Sequence, residues 1–183
     1  MRIPLLDVVN HEGVLYAIGV LSRSGIDHRP ALWASTDAIT WSSLTINEED
    51  AVDSTWNALD SSDQLLVAVG QSNLDHVDSR AWTSSNNGES WVGIEVETGP
   101  VGIPALHDVT WSGAGWVAVG SDGTTRHEFG DTIAAIWQWG STTRPVGSRK
   151  RPPAAGLSWS KVTFQADRRW KQTLAMTVAL VGL

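Results

Sequence analysis

Three of the five histidines in this 183-residue chain fall at matching places, each with carboxylates and an arginine nearby. His28 stands beside Asp27 and Arg29, His76 lies near Asp75, Asp78 and Arg80, and His127 lies near Arg126, Glu128 and Asp131. Imidazole and carboxylate together bind divalent metals, and imidazolium or guanidinium binds anions. One reading is therefore a converging His/carboxylate cluster for a metal or an anionic ligand. The other is three separate polar loops in which each His is solvated or caps its own loop. Unequal distances from the preceding glycine favour the second: 9, 6 and 7 residues for Gly19–His28, Gly70–His76 and Gly120–His127. A further acidic stretch, Glu48, Glu49, Asp50 and Asp53, offers oxygen ligands without the ligand order of an EF-hand loop. No cofactor or metal is expected, with a divalent cation left open.

Several chemistries are excluded outright. There is no cysteine, hence no disulfide framework, thiolate metal site or cysteine nucleophile. No nucleophile elbow, P-loop, dinucleotide fingerprint or HExxH zinc motif occurs. Every apolar run falls short of the roughly 20 residues that cross a bilayer, so no membrane partner is expected. Met1–Asn10 lacks the charged and apolar regions of a secretory signal. Charge is split along the chain. Up to Trp139 there are five Arg and no Lys against 19 acids, whereas from Gly140 onward there are eight basic residues and one acid, Asp167. The acidic body argues against nucleic acid as a partner.

The elements that must position these side chains repeat. Gly19, Gly70 and Gly120 are 51 and 50 residues apart, Trp41 and Trp91 are 50 apart, and Trp33 and Trp82 are 49 apart. Each unit holds four short runs rich in Val, Ile, Leu and Trp, separated by Gly, Ser, Asn and Asp, which are strand and turn signals. We label the strands A to D. In the third unit they are His107–Trp111, Trp116–Gly120, Ala134–Trp137 and about Ser158–Val162. No segment has a sustained helical period. Four antiparallel strands per roughly 40–50 residues is the repeat of a β-propeller blade. The fold class expected is all-β and propeller-like, with three blades at about 1–48, 49–99 and 100–164.

A recurring turn joins strands C and D. In the second unit it reads Ser84, Ser85, Asn86, Asn87, Gly88, Glu89, Ser90, Trp91, and in the first Ser35, Thr36, Asp37, Ala38, Ile39, Thr40, Trp41. The second resembles the Asp-box S-x-D-x-G-x-T-W with Asn for Asp and Ser for Thr. The first is one residue shorter and lacks the Gly. The chain is thus similar, over about Leu6–Val162, to Asp-box (BNR-type) propellers, the repeat class of sialidases and of many non-enzymatic propellers. Asp or Asn accepts backbone N–H bonds in such a turn, Gly supplies a positive φ, and Trp buries a large apolar face. Ser35, Asp37, Trp41, Ser84, Asn86, Gly88, Trp91 and Trp159 are accordingly read as structural.

The third unit departs from this pattern. A stretch rich in Pro, Gly, Ser and Arg, 140–155, separates Trp137 from Trp159 by 22 residues, where the other units have 8 or 9. It reads as an extended, solvated loop. Residues 165–183 read as a tail or partial fourth blade. Propellers have roughly four to eight blades, so three leave open edges. Two copies closing one ring, a piece of a longer propeller, or closure by the tail each answer that problem.

In a blade the B–C loop and the D-to-next-A loop share one end, and the resemblance places ligand sites there. The B–C loops are Val20–Pro30, Gln71–Ser79 and Ser121–Ile133, and the ligand-binding candidates are His28, Arg29, His76, Asp78, Arg80, His127, Glu128 and Asp131. The expected function is a non-catalytic propeller module that binds a glycan, peptide or protein partner through its B–C and D–A loops. The resemblance also implies a secreted or extracellular setting. A sialidase-like glycoside hydrolase is the enzymatic alternative, and it needs an arginine cluster, an acid/base carboxylate and a tyrosine nucleophile. Tyr16, the one tyrosine, sits inside strand B and reads as a packed residue. Arg2-Ile3-Pro4 matches three letters of a sialidase arginine motif and keeps Arg2 in play. A structural or assembly propeller is the remaining alternative.

Overall fold

The computed structural model describes residues 4–22, 28–46, 51, 53–72, 78–96, 104–125, 132–139 and 159–162. Among them, twelve strands form three four-stranded antiparallel sheets, each wound in chain order. The first holds β1 (Leu5–His11), β2 (Val14–Ser22), β3 (His28–Ser35) and β4 (Ser42–Leu44). The second holds β5 (Ser54–Ser61), β6 (Leu66–Ser72), β7 (Asp78–Ser84) and β8 (Val92–Glu95). The third holds β9 (Pro104–Trp111), β10 (Trp116–Thr125), β11 (Thr132–Trp139) and β12 (Ser160–Val162). The fold is all-β and propeller-like.

The strongest sequence marker, the repeated glycine, has a local cause. In every blade the innermost strand shifts register opposite it: between Leu5 and Asp7, between Trp56 and Ala58, and between Leu106 and Asp108. Each shift is a bulge that turns two successive residues to one side and brings backbone close to backbone. A Cβ on Gly70 would overlap the Thr55 carbonyl oxygen, and one on Gly120 the Ala105 carbonyl oxygen.

Strand alternation then sorts the apolar residues into two layers between the sheets. Tyr16, Ile18 and Leu32 face forward from the first blade onto Trp56, Leu66 and Trp82 of the second. Val67, Val69 and Ala81 face forward from the second onto Leu106, Trp116 and Trp137 of the third. Four buried indoles, those of Trp56, Trp82, Trp139 and Trp159, leave Nε1 without a partner. Burying about 150–250 Å² of indole at about 25 cal/mol per Å² contributes roughly 4–6 kcal/mol. That outweighs the roughly 1–3 kcal/mol cost of an unmade hydrogen bond. Polar ties cross the same layers. Asp7 Oδ2 accepts the Leu59 N–H at 2.9 Å, and Asp60 Oδ2 accepts the Trp111 N–H at 2.7 Å.

The C–D turns are built by their short polar side chains. Asp37 Oδ1 accepts the N–H groups of Ile39 at 2.8 Å and Thr40 at 2.7 Å, while Ser35 Oγ accepts that of Ala38 at 2.9 Å. In the second blade Asn86 Oδ1 accepts the Ser90 N–H at 3.0 Å, and Ser84 Oγ accepts that of Gly88 at 2.9 Å. The longer turn uses two left-handed residues, Asn87 (φ 57°) and Gly88 (φ 81°), whereas the shorter one uses Ala38 (φ 60°). The shorter turn thus keeps its geometry by holding an alanine where glycine is easier. In the third blade Trp139 occupies the ladder position of Ser35 and Ser84, facing Trp116 as they face Leu15 and Leu66. An indole cannot make those turn bonds, and Trp139 instead stacks on Trp159 at 5.8 Å between ring centres.

Strand D of the third blade is present as β12, paired with β11 through Ile136–Val162, Trp137–Lys161 and Gln138–Ser160. The basic stretch 140–155 and the tail 165–183 lie outside the described residues.

Candidate functional site

The B and C strands are longer than their apolar runs. β2 and β6 continue to Ser22 and Ser72, while β3 and β7 begin at His28 and Asp78. His28, Arg29 and Asp78, expected in loops, therefore sit on strands, paired with Ser22, Leu21 and Ser72. The reason is that ladder pairing joins backbone groups, which every residue but proline supplies whatever its side chain. Fixed on strands, these side chains have defined directions.

Alternation anchored on the core gives those directions. Leu32 faces forward into the first interblade layer, and so do Pro30 and His28 on the same strand face. Trp82 faces backward into that layer, and so do Arg80 and Asp78. His28, Asp78 and Arg80 are thus directed into one junction, between the first and second blades, at its loop end. Arg29 lies on the other face of β3 and does not join them. His28 is half-buried with its Nδ1 buried and without a hydrogen-bond partner, Asp78 is exposed and Arg80 is half-buried. An imidazole, a guanidinium and a carboxylate directed into one junction are groups that can hold an anionic or polyhydroxyl ligand by charge-assisted hydrogen bonds.

Glu95, not among the residues expected at a site, stands directly across the ladder from Arg80 on β8. Counting back along both strands from the Asn86 turn is the signal that finds it. His76, His127, Glu128 and Asp131 lie outside the described residues, as do Arg2, Glu48, Glu49 and Asp50. The described residues contain no group of three or more His, Asp or Glu arranged to hold a metal ion.

Tyr16 belongs to the opposite end. It is buried in the first interblade layer, with its ring 6.2 Å from that of His11. Burial raises its phenol above the ordinary tyrosine range, and the charges of Glu12 and Glu89 add to the rise. Both acids belong to turns, A–B in the first blade and C–D in the second. A packed phenol held in its neutral form, at the turn end, is a core residue.

Trp41 differs from its equivalents. Trp91 is buried and donates Nε1–H to the Gly88 carbonyl at 3.2 Å, and Trp159 is buried against Trp139. Trp41 is exposed, because among the described residues no blade packs against the rear of the first.

No family model matches the sequence, and no curated protein matches it. Among solved structures the chain is similar to a phage phi92 endosialidase, with a TM-score of 0.58 at 11% identity, over 87% of this chain and 26% of that one. The chain therefore spans about a quarter of that protein's length, and the likeness concerns the fold.

Proposed function

We propose that the chain is a non-catalytic propeller module that binds an anionic glycan at the loop end of the junction between its first two blades. The observation that carries this reading is that strand alternation directs His28 on β3 and Asp78 and Arg80 on β7 into that junction. Arg80 would pair with the ligand's acid group and His28 would hydrogen-bond a hydroxyl, with Asp78 accepting from another. The Ser-x-Asp and Ser-x-Asn turns would serve as Asp-boxes, bracing the blades from the far end.

The neighbour's name supplies the first probe, a sialylated oligosaccharide. It also supplies the competing reading, a sialidase-like hydrolase. Against hydrolysis stands Tyr16, buried and kept protonated at the wrong end of the blade.

Titration calorimetry with a sialylated oligosaccharide, beside its desialylated form, tests the proposal. Binding of the sialylated form alone, weakened about tenfold or more by Arg80→Ala, supports it, since a charged hydrogen bond is worth about 1.5–3 kcal/mol. Binding unchanged in both Arg80→Ala and His28→Ala, or no binding of either glycan, overturns it. Release of free sialic acid in a parallel assay would replace the module with the hydrolase.

A further inference from the structure

The rear of the first blade repeats a surface that the other two blades bury. Ladder register aligns Leu5 with Trp56 and Leu106, and Val8 with Leu59 and Val109. The C–D turns align Trp41 with Trp91 and Trp159. Leu5 is 66% exposed where Trp56 and Leu106 are 0%, and Val8 is 57% exposed where Leu59 is 3% and Val109 is 5%. Trp41 is 38% exposed where Trp91 is 4% and Trp159 is 2%.

The front of the third blade is the matching half. Val119 aligns with Ile18 and Val69, which are 0% exposed because the next blade covers them, yet Val119 is 40% exposed. Beside it Asp108 takes its own Val109 N–H on Oδ1 at 2.8 Å, as Asp7 takes that of Val8 at 2.8 Å. In Asp7 the second oxygen is the one that crosses to the next blade.

One chain therefore carries both halves of an interblade joint at its two ends. The described residues supply three blades, and a propeller needs roughly four to eight to close. Two copies supply six, inside that range, and three copies would exceed it. A head-to-tail contact that closes also avoids open filaments. We infer that the rear of the first blade docks on the front of the third blade of a second copy, at two equivalent joints, forming a six-bladed ring. The occupant is set by continuity: each buried rear in this fold is covered by a front of the same Val/Ile pattern, and the third blade presents it.

Light scattering on the purified full chain tests this. The expected mass is twice that of one chain, falling to one chain's mass in Val8→Lys and separately in Val119→Asp, with unchanged far-ultraviolet circular dichroism. The double variant Val8→Lys/Val119→Asp should regain the doubled mass, because Val8 and Val119 take the places of Leu59 and Ile18, which share one layer. That rescue separates a broken joint from a misfolded blade. A wild-type chain of single mass, a doubled mass that survives both single variants, or a double variant that stays single would overturn the inference.

Discussion

Asp7 and Leu59, 52 residues apart, meet across the first blade junction, where Asp7 Oδ2 accepts the Leu59 backbone N–H at 2.9 Å. The same carboxylate takes the Val8 N–H on Oδ1 at 2.8 Å, so one side chain ties its own bulged strand to the neighbouring blade. Leu59 is buried, and its N–H has little access to water in exchange. Asp7→Ala should therefore cost about 1–3 kcal/mol, the penalty of an orphaned buried donor. Thermal unfolding should show a fall of several degrees, with Asp7→Asn, which keeps an acceptor oxygen, falling less.

The Asp37 turn gives the first blade an acid-sensitive element. The N–H groups of Thr40 and Ile39 hold the Asp37 carboxyl down at about 2. An unfolded Asp titrates near about 3.9, so between roughly pH 5 and 2 the unfolded chain takes up a proton that the folded chain refuses. Stability from this group is full above that window and is lost as pH falls through it. Urea midpoints across the window should drop less steeply in Asp37→Asn than in the parent. Asn86, which cannot titrate, shows that an amide oxygen can brace a C–D turn by accepting a backbone N–H.

Ala38 sits at φ 60° with an exposed side chain. A left-handed L-residue costs about 1–2 kcal/mol, and a glycine's greater freedom when unfolded returns about 0.4–1 of that. Ala38→Gly should be a net gain of about 0.5–1 kcal/mol, read as a melting point about 1–4 °C higher. A loss would mean that the shorter turn is not strained there.

Two glycines should respond very differently to alanine. Gly13 has a positive φ of 85° and open space where a Cβ would go, so Gly13→Ala should cost only the conformational penalty of about 1–2 kcal/mol. Gly70 is not in the left-handed region but has a carbonyl oxygen where a Cβ would go, so Gly70→Ala must spread the bulge apart. Its cost should reach about 3 kcal/mol or more, the upper end for overpacked sites. Equal losses for the two variants in denaturant unfolding would refute the close-approach account.

The repeat, the four strands per unit and the turn residues were legible in the sequence because each answers to a local requirement. Gly19, Gly70 and Gly120 keep step because each lies opposite a bulge, and Ser, Asp or Asn with Trp recurs because a C–D turn needs acceptors and an apolar anchor. Even the odd third unit was marked, by the 22-residue spacing from Trp137 to Trp159. Less legible was where strands end, since backbone pairing carries β2, β3, β6 and β7 into polar residues that read as loop.

Direction and cover were decided only by the tertiary structure. His28 and Arg29 are chain neighbours with like chemistry, yet one turns into the first junction and the other away from it, because adjacent residues of a strand point to opposite faces. Trp41, Trp91 and Trp159 look alike in sequence, and only Trp41 is left exposed. Burial depends on which blade stands behind, and that is a relation between repeats rather than a property of any one of them.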